Sequence, residues 1–380
     1  MANDDPSTIG IEEEYLLVDL ESRGVCADPP EAFMRACRDL LGDQVTPEFL
    51  RCQIEVGTPV CGSVGEARSV LALFRRTIAA EAARHGIGVM AASTHPFADW
   101  STQVTTDKER YTKLAADLRA VVQRMLICGM HVHVAVPDED LRIDLHGQLV
   151  YFLPHLLALS TSSPFWRGRS TGLKSYRSSI SVELPRAGLP QLFGSAGEYR
   201  RVVDLLVKLR RIEDASKIWW DLRPSANFPT LEMRITDVCT RLDDGIAIAA
   251  IYQSLINMLI TLKRKNLRWR QYLPVLIAEN RWLAQRHGVS GELIDFGRAE
   301  TVPFRDLVEE MIALLAEEAK ALGCLSEVER ARQIAAEGTS ADRQLAVFYN
   351  ALEQGHSEEA SLRAVVDHLV KETLEGCEAA

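Results

Sequence analysis

Four short stretches of the chain alternate polar and apolar residues with a period of two, and this period predicts β-strands with one polar and one apolar face. They are IGIEEEYLLVD (9–19), CQIEVGTP (52–59), GMHVHVAV (129–136) and TLEMRITD (230–237). The polar side chains that share a face are carboxylates, an amide, imidazoles and a guanidinium group. The pattern therefore predicts one sheet with an apolar back and a front lined by ionisable groups.

The first stretch carries three consecutive glutamates. Alternation places Glu12 and Glu14 on the front of the sheet and Glu13 on the back. Two carboxylates on one strand face lie roughly 7 Å apart and repel each other unless a cation or a basic group lies between them. Two interpretations of Glu13 stay open: a surface residue at the sheet edge, or a ligand that replaces a neighbour if the strand has a bulge.

Helical spacing of apolar residues accounts for most of the remaining chain. It predicts helices over 31–41, 63–84, 107–127, 144–160, 197–212, 243–263, 275–287, 303–322, 326–336, 340–353 and 358–374. Ser63 and Glu66 fit a capping box at the start of one of them. Further strands are predicted over 88–96 and 179–184, and the rest of 164–191 reads as an active-site loop.

These elements predict an α+β fold with a mainly antiparallel sheet, a polar active-site face, and helices that back and cap it. No linker rich in Pro, Gly or Ser divides the chain, so residues 1–380 are expected to form a single catalytic domain. Every element after about residue 265 is predicted to be helical. The apolar helices 144–160 and 245–262 must be buried or packed against another subunit, which favours a homodimer.

Composition narrows the range of partners. The net charge of -10 disfavours nucleic acid and anionic membranes as main partners. No apolar run is expected to reach membrane-spanning length, and the N-terminus lacks the pattern of a secretory signal, so a cytoplasmic location is expected. The eight cysteines form no CxxC pair, and a zinc or iron–sulfur cluster is therefore not expected.

The front-face residues include a candidate metal site, formed by Glu12, Glu14, Glu55, His131 and Glu232. Carboxylates with one imidazole are mainly oxygen donors, which suit Mg²⁺ or Mn²⁺ better than zinc. A site of this kind can hold two or three divalent ions that bridge the phosphate oxygens of a nucleotide. Taken singly, the histidine stretch is more simply explained by structural histidines, and Glu232 with Arg234 by a cross-strand salt bridge. Four polar-face strands in one chain favour a shared site.

Arginines supply the second component of the candidate site. Arg234, two residues after Glu232, adds a cation that a metal site alone does not need. Arginine binds phosphate or carboxylate through paired hydrogen bonds and stabilises charge on a phosphoryl group during transfer. Further candidates for these contacts are Arg177, Arg186 and Arg223. The sequence contains no P-loop, Rossmann or GxSxG motif, which leaves those templates unsupported.

The motif series also resembles a known family. GMHVHV followed by LEMRITD is similar to the strand pattern of the glutamine synthetase active site. Together with IGIEEEYLLVD, QIEVGTPVC, STHPFADW, RPSANFPT and GTSADRQ, it more closely resembles the carboxylate–amine ligase family, also called glutamate–cysteine ligase type 2. The resemblance covers about residues 8–350 and implies a glutamine-synthetase-like catalytic fold.

The resemblance implies an ATP-dependent ligase. ATP would phosphorylate a carboxylate, the γ-carboxylate of L-glutamate, and the amine of L-cysteine would then attack the acyl phosphate. By resemblance, the five front-face ligands hold the metal ions, Glu232 and Arg234 are catalytic, and Arg234 contacts the γ-phosphate or the acyl phosphate. His133 is expected to support the ligands near ATP. His95 lines the amine pocket, or alternatively forms a turn before Pro96.

Three other functions remain open on the sequence alone. A ligase of the same type with a different acid or amine fits the motifs equally well, because nothing marks a pocket specific for cysteine. A phosphotransferase of the guanidino-kinase type uses this class of fold and stops at the phosphorylated acceptor. A nucleotide- or metal-binding regulator with a decayed site is the non-enzymatic alternative, although the full set of carboxylates disfavours it.

Overall fold

The computed structural model describes residues 8–378, apart from the side chains of residues 110, 112, 114, 117, 120 and 123. The strands of this part of the chain are β1 (Ile9–Asp19), β2 (Val45–Pro47), β3 (Gln53–Gly57), β4 (Ile87–Met90), β5 (Met130–Ala135), β6 (Phe165–Trp166), β7 (Arg169–Ser170), β8 (Ala187–Gly188), β9 (Trp219–Trp220), β10 (Leu222–Pro224), β11 (Thr230–Met233), β12 (Glu292–Asp295) and β13 (Glu300–Pro303). The helices are α1 (Glu31–Leu41), α2 (Val64–Ala83), α3 (Glu109–Leu118), α4 (Ala120–Gln123), α5 (Glu139–Leu149), α6 (Leu153–Ser160), α7 (Arg177–Ser181), α8 (Ala196–Lys208), α9 (Leu242–Arg264), α10 (Pro274–His287), α11 (Phe304–Ala321), α12 (Leu325–Glu337), α13 (Ser340–Glu353) and α14 (Glu358–Glu372).

A seven-stranded sheet in the order β10-β11-β5-β1-β3-β2 organises the fold, and β4 also pairs with β1. All of its strand pairs are antiparallel. β1 is central: β3 lies along one of its edges, while β5 pairs with the first half of the other edge and β4 with the second half. The predicted α+β fold with a mainly antiparallel sheet is confirmed.

The strand register brings the four predicted polar faces together on one side of this sheet. Residues directly opposite each other in an antiparallel pair have neighbouring side chains on the same face. The pairs on the polar face are Glu12–His131, Glu14–Glu55, Glu232–His133 and Arg223–Glu232. Because side chains alternate along each strand, the intervening apolar residues and Glu13 lie on the opposite face.

Two long helices contact the sheet from its apolar side. α2 contacts β1, and α9 contacts β5 and α2. The start of α2 follows the predicted capping pattern, since the Ser63 hydroxyl accepts a hydrogen bond from the Glu66 amide at 3.1 Å. The back-face residues Ile11, Val132 and Met233 are at most 1% exposed. The core of the protein therefore lies between the back of the sheet and these helices.

The helix α9 bears on the prediction that the chain contains no apolar run of membrane-spanning length. It is long and apolar enough to cross a membrane, with a mean hydropathy of 1.7 in its most apolar window, so the prediction that no such run exists is wrong. However, 78% of that window is buried inside the protein. The apolar surface of α9 is thus covered by its own chain, as is usual for a central core helix.

Two of the predicted helices are divided. The segment predicted as one helix over 144–160 forms α5, a 3₁₀ turn at Val150–Phe152, and α6. Pro154 stands in the first turn of α6, where a proline can begin a helix but cannot continue one. The helix predicted over 107–127 is broken into α3 and α4 by Arg119, which has a φ of 48°.

Two strand predictions and one prediction of helices also need correction. The strand expected over 179–184 is instead the helix α7 followed by turns, with the Ser163 hydroxyl accepting a hydrogen bond from the Arg177 amide at the helix start. The strand expected over 88–96 ends at Met90. The expectation of helices alone after residue 265 missed the hairpin β12–β13, whose turn is held by Asp295 Oδ1 accepting from the Gly297 and Arg298 amides.

The C-terminal helices pack onto the rest of the chain. α11 and α12 contact α9, α13 contacts α14, and α14 contacts β4. Every residue of α6 and most of α9 are buried within this one chain. The apolar helices that favoured a homodimer therefore need no second subunit to cover them, and the homodimer stays a prediction.

Candidate active site

A cavity of about 440 Å³ lies over the polar face of the main sheet. Its walls include side chains from β1, β3, β5 and β10, together with side chains of α3, α4 and the residues that follow α4. The predicted site residues among its lining are Glu12, Glu14, Glu55, His131, Arg177, Arg223 and Arg234. Glu232 lies beside them, 2% exposed, in the strand between β5 and β10.

The first group of possible metal ligands consists of Glu12, His131 and Glu232, one ligand atom from each lying within 4.8 Å of the others. His131 Nδ1 is 3.1 Å from a Glu12 carboxylate oxygen. Burial and the neighbouring Arg234 lower the pKa of His131 to about 4. The imidazole is therefore neutral at neutral pH, as a metal ligand has to be. Burial alone would raise the pKa of Glu12, but the neighbouring imidazoles of His131 and His133 outweigh burial and hold that pKa well below its usual range.

The second group consists of Glu14, Glu48 and Glu55, which meet the same distance criterion. Burial and the neighbouring Glu48 raise the pKa of Glu14 to about 7 and that of Glu55 well above its usual range. Among the residues that the structure describes, these three carboxylates form no ion pair. A divalent cation would supply the missing counter-charge, so the donor set fits an oxygen-preferring metal ion.

Glu48 was not predicted from the sequence. It lies in the turn between β2 and β3, outside the alternating stretches, and its amide donates to the Gln53 carbonyl. The hydroxyl of Thr106, which lies far along the chain, donates to the Glu48 carbonyl at 2.5 Å. The only sequence signal was its position seven residues before Glu55 in TPEFLRCQIE, which carries no periodicity of its own.

Two arginines hold Glu232. Arg223 donates to both carboxylate oxygens, at 2.8 and 3.0 Å, and Arg234 forms a close ion pair with Oε1. Burial opposes the charge on Glu232, but Arg234 and Arg223 outweigh burial and lower its pKa to about 2. Arg234 Nη1 also lies 3.3 Å from His131 Nδ1. The guanidinium groups thus sit beside the first group of ligands, where phosphate oxygens would need neutralising charge.

Arg177 lies close to both groups of possible metal ligands. Its guanidinium donates to the carbonyl oxygens of Arg234 and Ile235, and its Nε is buried without a hydrogen-bond partner. It lies over Gly129, where an added Cβ would be 2.4 Å from Arg177 Nη2. The Gly129 amide donates to Glu14 at 2.7 Å. Gly129 therefore makes room for the arginine that fixes the backbone beneath the Arg234 side chain.

Replacing Gly129 with alanine is expected to lower kcat/KM by about 10²-fold, because the methyl group displaces the Arg177 guanidinium and a shift of 1 Å can cost that much. ADP release measured under saturating metal checks this. Gly10→Ala on β1 is the matched control, since its new Cβ would meet no atom closer than 3.9 Å. Equal activity of the two variants would contradict the role given to Gly129.

Glu13 is part of the core and not of the cavity. It is 0% exposed, and its carboxylate pairs with Arg75 of α2 at 2.8 and 2.9 Å. The Tyr15 hydroxyl donates to the same carboxylate. The structure thus has neither the sheet-edge exposure nor the strand bulge that were the alternatives for Glu13, and Glu12 and Glu14 are the two glutamates that face the cavity.

Besides Glu232, three predicted site residues lie outside the described cavity lining. His95 forms the turn, not an amine pocket: its Nδ1 accepts from the Phe97 and Ala98 amides, and burial lowers its pKa to about 4. Arg186 donates to the Lys217 carbonyl and stacks on Trp219, so it supports the rim. His133 lies behind Glu12, with Nε2 3.4 Å from its carboxylate and Nδ1 3.0 Å from the Thr230 hydroxyl.

The geometry suits the joining of anionic reactants. Two neighbouring carboxylate groups can hold cations, and a pair of arginines stands at one end. Such an arrangement neutralises phosphate and carboxylate charges that would otherwise keep the reactants apart. It offers no activated serine or cysteine nucleophile within the described lining, so direct transfer between bound substrates is the chemistry that it supports best.

Solved structures with this fold define a class of protein. The glutamate–cysteine ligase of Francisella tularensis, solved in complex with AMP, matches with a TM-score of 0.69 at 13% identity over 99% of this chain and 91% of that one. A bifunctional glutathione synthetase from Pasteurella multocida matches with a TM-score of 0.67 at 14% identity over 98% of this chain, which spans about half (53%) of that protein. The fold is that of the glutamine-synthetase-like ligases.

The chain belongs to glutamate-cysteine ligase family 2 (GCS2), whose profile matches residues 8–368. A relative from Rhodospirillum rubrum, named "Putative glutamate--cysteine ligase 2", is 57% identical over 371 residues, which are 97% of this chain and 95% of the relative. A relative of the same name from Jannaschia sp. is 55% identical over 370 residues, 97% of each chain.

Membership of this family confirms the predicted class of enzyme. The chain is an ATP-dependent ligase that forms carbon–nitrogen bonds. Its substrates are small molecules, a carboxylate and an amine, and the family uses a divalent metal ion. The predicted resemblance to carboxylate–amine ligases is therefore confirmed, while the roles of individual residues remain predictions.

Proposed function

We propose that this enzyme joins the γ-carboxylate of L-glutamate to the amino group of L-cysteine, or of another amine, through an acyl phosphate. The observation that carries the proposal is the presence, in one cavity, of two carboxylate groups of metal-ligand type and two arginines on Glu232. The names of the relatives support glutamate and cysteine as the first substrates to test.

Mg²⁺ or Mn²⁺ would be held by Glu12, His131 and Glu232 in one position and by Glu14, Glu48 and Glu55 in the other. Bound divalent ions neutralise the charge of phosphate and carboxylate oxygens. Glu48 is added to the ligands predicted from the sequence. The predicted ligand Glu55 accepts a hydrogen bond from the Thr46 hydroxyl at 3.2 Å, which leaves its second carboxylate oxygen for a cation.

The reaction is balanced in two steps. A carboxylate oxygen of the acid attacks the γ-phosphorus of ATP, the bond to the β-phosphate oxygen breaks, and ADP leaves. The neutral amine then attacks the carbonyl carbon of the acyl phosphate, inorganic phosphate leaves with the original carboxylate oxygen, and one proton passes to solvent. Arg234 and Arg223 are assigned to stabilise the negative charge on the phosphoryl group in both steps.

Replacing Glu48 with glutamine is expected to raise the Mg²⁺ concentration for half-maximal activity at least about tenfold, because an amide is a weaker ligand than a carboxylate. A titration of ADP release against Mg²⁺ measures this. Glu21→Gln, at an exposed position outside the cavity, is the control. A Glu48 variant with unchanged Mg²⁺ dependence would remove Glu48 from the metal site.

The overall proposal is tested by a screen of ADP release over pairs of acids and amines, followed by the mass of the product. A ligase requires both substrates and gives the mass of an amide. A phosphotransferase of the guanidino-kinase type gives a phosphorylated acceptor instead. ATP binding without turnover on any pair would favour a regulator and contradict the proposal.

The remaining partner predictions are kept as part of the proposal. The enzyme is expected to work in the cytoplasm on free small molecules, without nucleic acid or membrane as partner, in keeping with its net charge of -10. A homodimer also remains proposed. Sedimentation measurements on the purified chain test it.

A further inference from the structure

The cavity has two chemically different ends. One end is lined by carboxylates and arginines, as described above. The other is lined by apolar or aromatic side chains: Phe49, Tyr111, Leu118, Val122, Met125 and Ile127. Five of these belong to α3, α4 and the residues that follow α4, so this segment forms most of the apolar wall.

The apolar end adjoins the second carboxylate group. Phe49 directly follows Glu48 in the chain and stacks edge-on against Tyr111, with ring centroids 5.7 Å apart. Gln53, which also lines the cavity, donates to the Ile127 carbonyl at 2.7 Å. A substrate in contact with this wall therefore has Glu14, Glu48 and Glu55 between it and the arginines at the other end of the cavity.

The opposite end suits the nucleotide. Arg223 Nη1 donates to the Ser216 and Ile218 carbonyls, which places Ser216, Lys217 and Trp219 next to the arginines. A tryptophan ring and polar groups beside guanidinium groups suit a stacked base and its phosphates. With the nucleotide at that end, the apolar wall is left for the substituent of the amine substrate.

On the basis of the proposed ligase function, we infer that the acceptor is a primary amine with an apolar substituent larger than the side chain of cysteine. The six wall residues include no charged side chain, so a charged or strongly polar substituent would lose its hydration there without compensation. A thiol behaves as a small hydrophobic group and would leave part of this wall uncovered. The glutamate-like acid, which is charged, belongs among the arginines.

Both apolar amino acids and simple alkyl or arylalkyl amines share this chemistry. Each additional methylene in a fitting pocket raises kcat/KM about tenfold or more. We therefore expect leucine, phenylalanine, isopentylamine or phenethylamine to exceed cysteine by at least about tenfold. A preference for the amino acids over the matching simple amines would identify an amino acid as the natural form, and the reverse result would identify an amine.

The first experiment measures kcat/KM for amide formation by the full chain with ATP, Mg²⁺, L-glutamate and a panel of amines. The panel contains glycine, L-cysteine, L-2-aminobutyrate, and the four larger amines. L-2-aminobutyrate has the shape of cysteine without its thiol, and equal rates for these two would support recognition by shape. If cysteine is the best substrate and exceeds 2-aminobutyrate tenfold, the inference is overturned while the ligase function stands.

The second experiment places a larger side chain in the apolar wall. Leu118→Trp is expected to reduce kcat/KM for phenylalanine or phenethylamine at least about tenfold relative to glycine, because the larger ring occupies the space of the substituent. Leu73→Trp is the control for the same change at a half-exposed leucine of α2 outside the cavity. A Leu118 variant that slows all amines by the same factor would show a structural role only and overturn the inference.

The outcomes separate the two proposals. Absence of ADP release with every acid and amine pair contradicts the ligase function itself. Amide formation with a preference for glycine or cysteine over the larger amines contradicts only the apolar acceptor. Amide formation that rises with the apolar size of the amine, and loses that dependence in Leu118→Trp, supports both.

Discussion

Replacing Glu13 with glutamine is expected to lower the free energy of unfolding by about 3–5 kcal/mol, the usual cost of removing one partner of a buried ion pair. Glu13 and Arg75 are both 0% exposed, and the Arg75 guanidinium also donates to the carbonyl oxygens of Thr240, Cys239 and Thr373. The variant leaves this guanidinium buried without its counter-charge. Denaturant unfolding followed by fluorescence or circular dichroism measures the effect.

The neighbouring variant Glu14→Gln is the matched control, with the same chemical change one residue away on the other face of β1. Burial and Glu48 raise the pKa of Glu14 to about 7, so an ionised Glu14 opposes folding when pH exceeds the ordinary value for glutamate. The variant is expected to be at least as stable as the wild type and to lose about 10²-fold or more in activity. An active Glu14→Gln beside a fully stable Glu13→Gln would contradict the assignment of faces.

Replacing Arg234 with alanine is expected to reduce kcat by about 10³-fold or more, the range found when a guanidinium group that stabilises a transferring phosphoryl group is removed. The side chain is 19% exposed, lies beside Glu232 and His131, and lines the cavity. Arg234→Lys is expected to recover only part of the activity, because an ammonium group cannot form two parallel hydrogen bonds. Single-turnover measurement of ADP formation tests both variants.

The control for Arg234 is Arg332→Ala, which removes an arginine from an exposed ion pair with Glu309. Exposed pairs contribute little to stability, and Arg332 lies outside the cavity lining, so wild-type activity is expected. If Arg234→Ala retained more than a tenth of wild-type kcat, Arg234 would have no role in stabilising the phosphoryl group.

Period-two alternation predicted the polar face because strand geometry alone decides which side chains share a side. For the same reason Glu12 and Glu14 were separated correctly from Glu13. The ion-pair partner of Glu13 could not be predicted from the sequence. Arg75 is 62 residues away and contacts Glu13 only because α2 packs on the sheet. Helix boundaries set by local signals, such as Ser63 with Glu66, were also predictable.

Residues placed by turns and long-range contacts were not predictable in this way. Glu48 enters the site through a turn held by Gln53 and Thr106. Alternation of Ser and Ile suggested a strand at 179–184, but tertiary contacts of Arg177 with the carbonyl oxygens after β11 stabilise a short helix instead. In each case the deciding contacts join segments that are distant in the sequence.

An acyl-phosphate intermediate requires that one oxygen of the substrate carboxylate leave with the phosphate, and isotope labelling follows this transfer. The enzyme is supplied with ATP, Mg²⁺, an amine and glutamate labelled with ¹⁸O in its γ-carboxylate, and the released phosphate is analysed by mass spectrometry. We predict one labelled oxygen in the phosphate for each amide formed. Amide formation with unlabelled phosphate would contradict the acyl-phosphate mechanism and the roles assigned to the arginines.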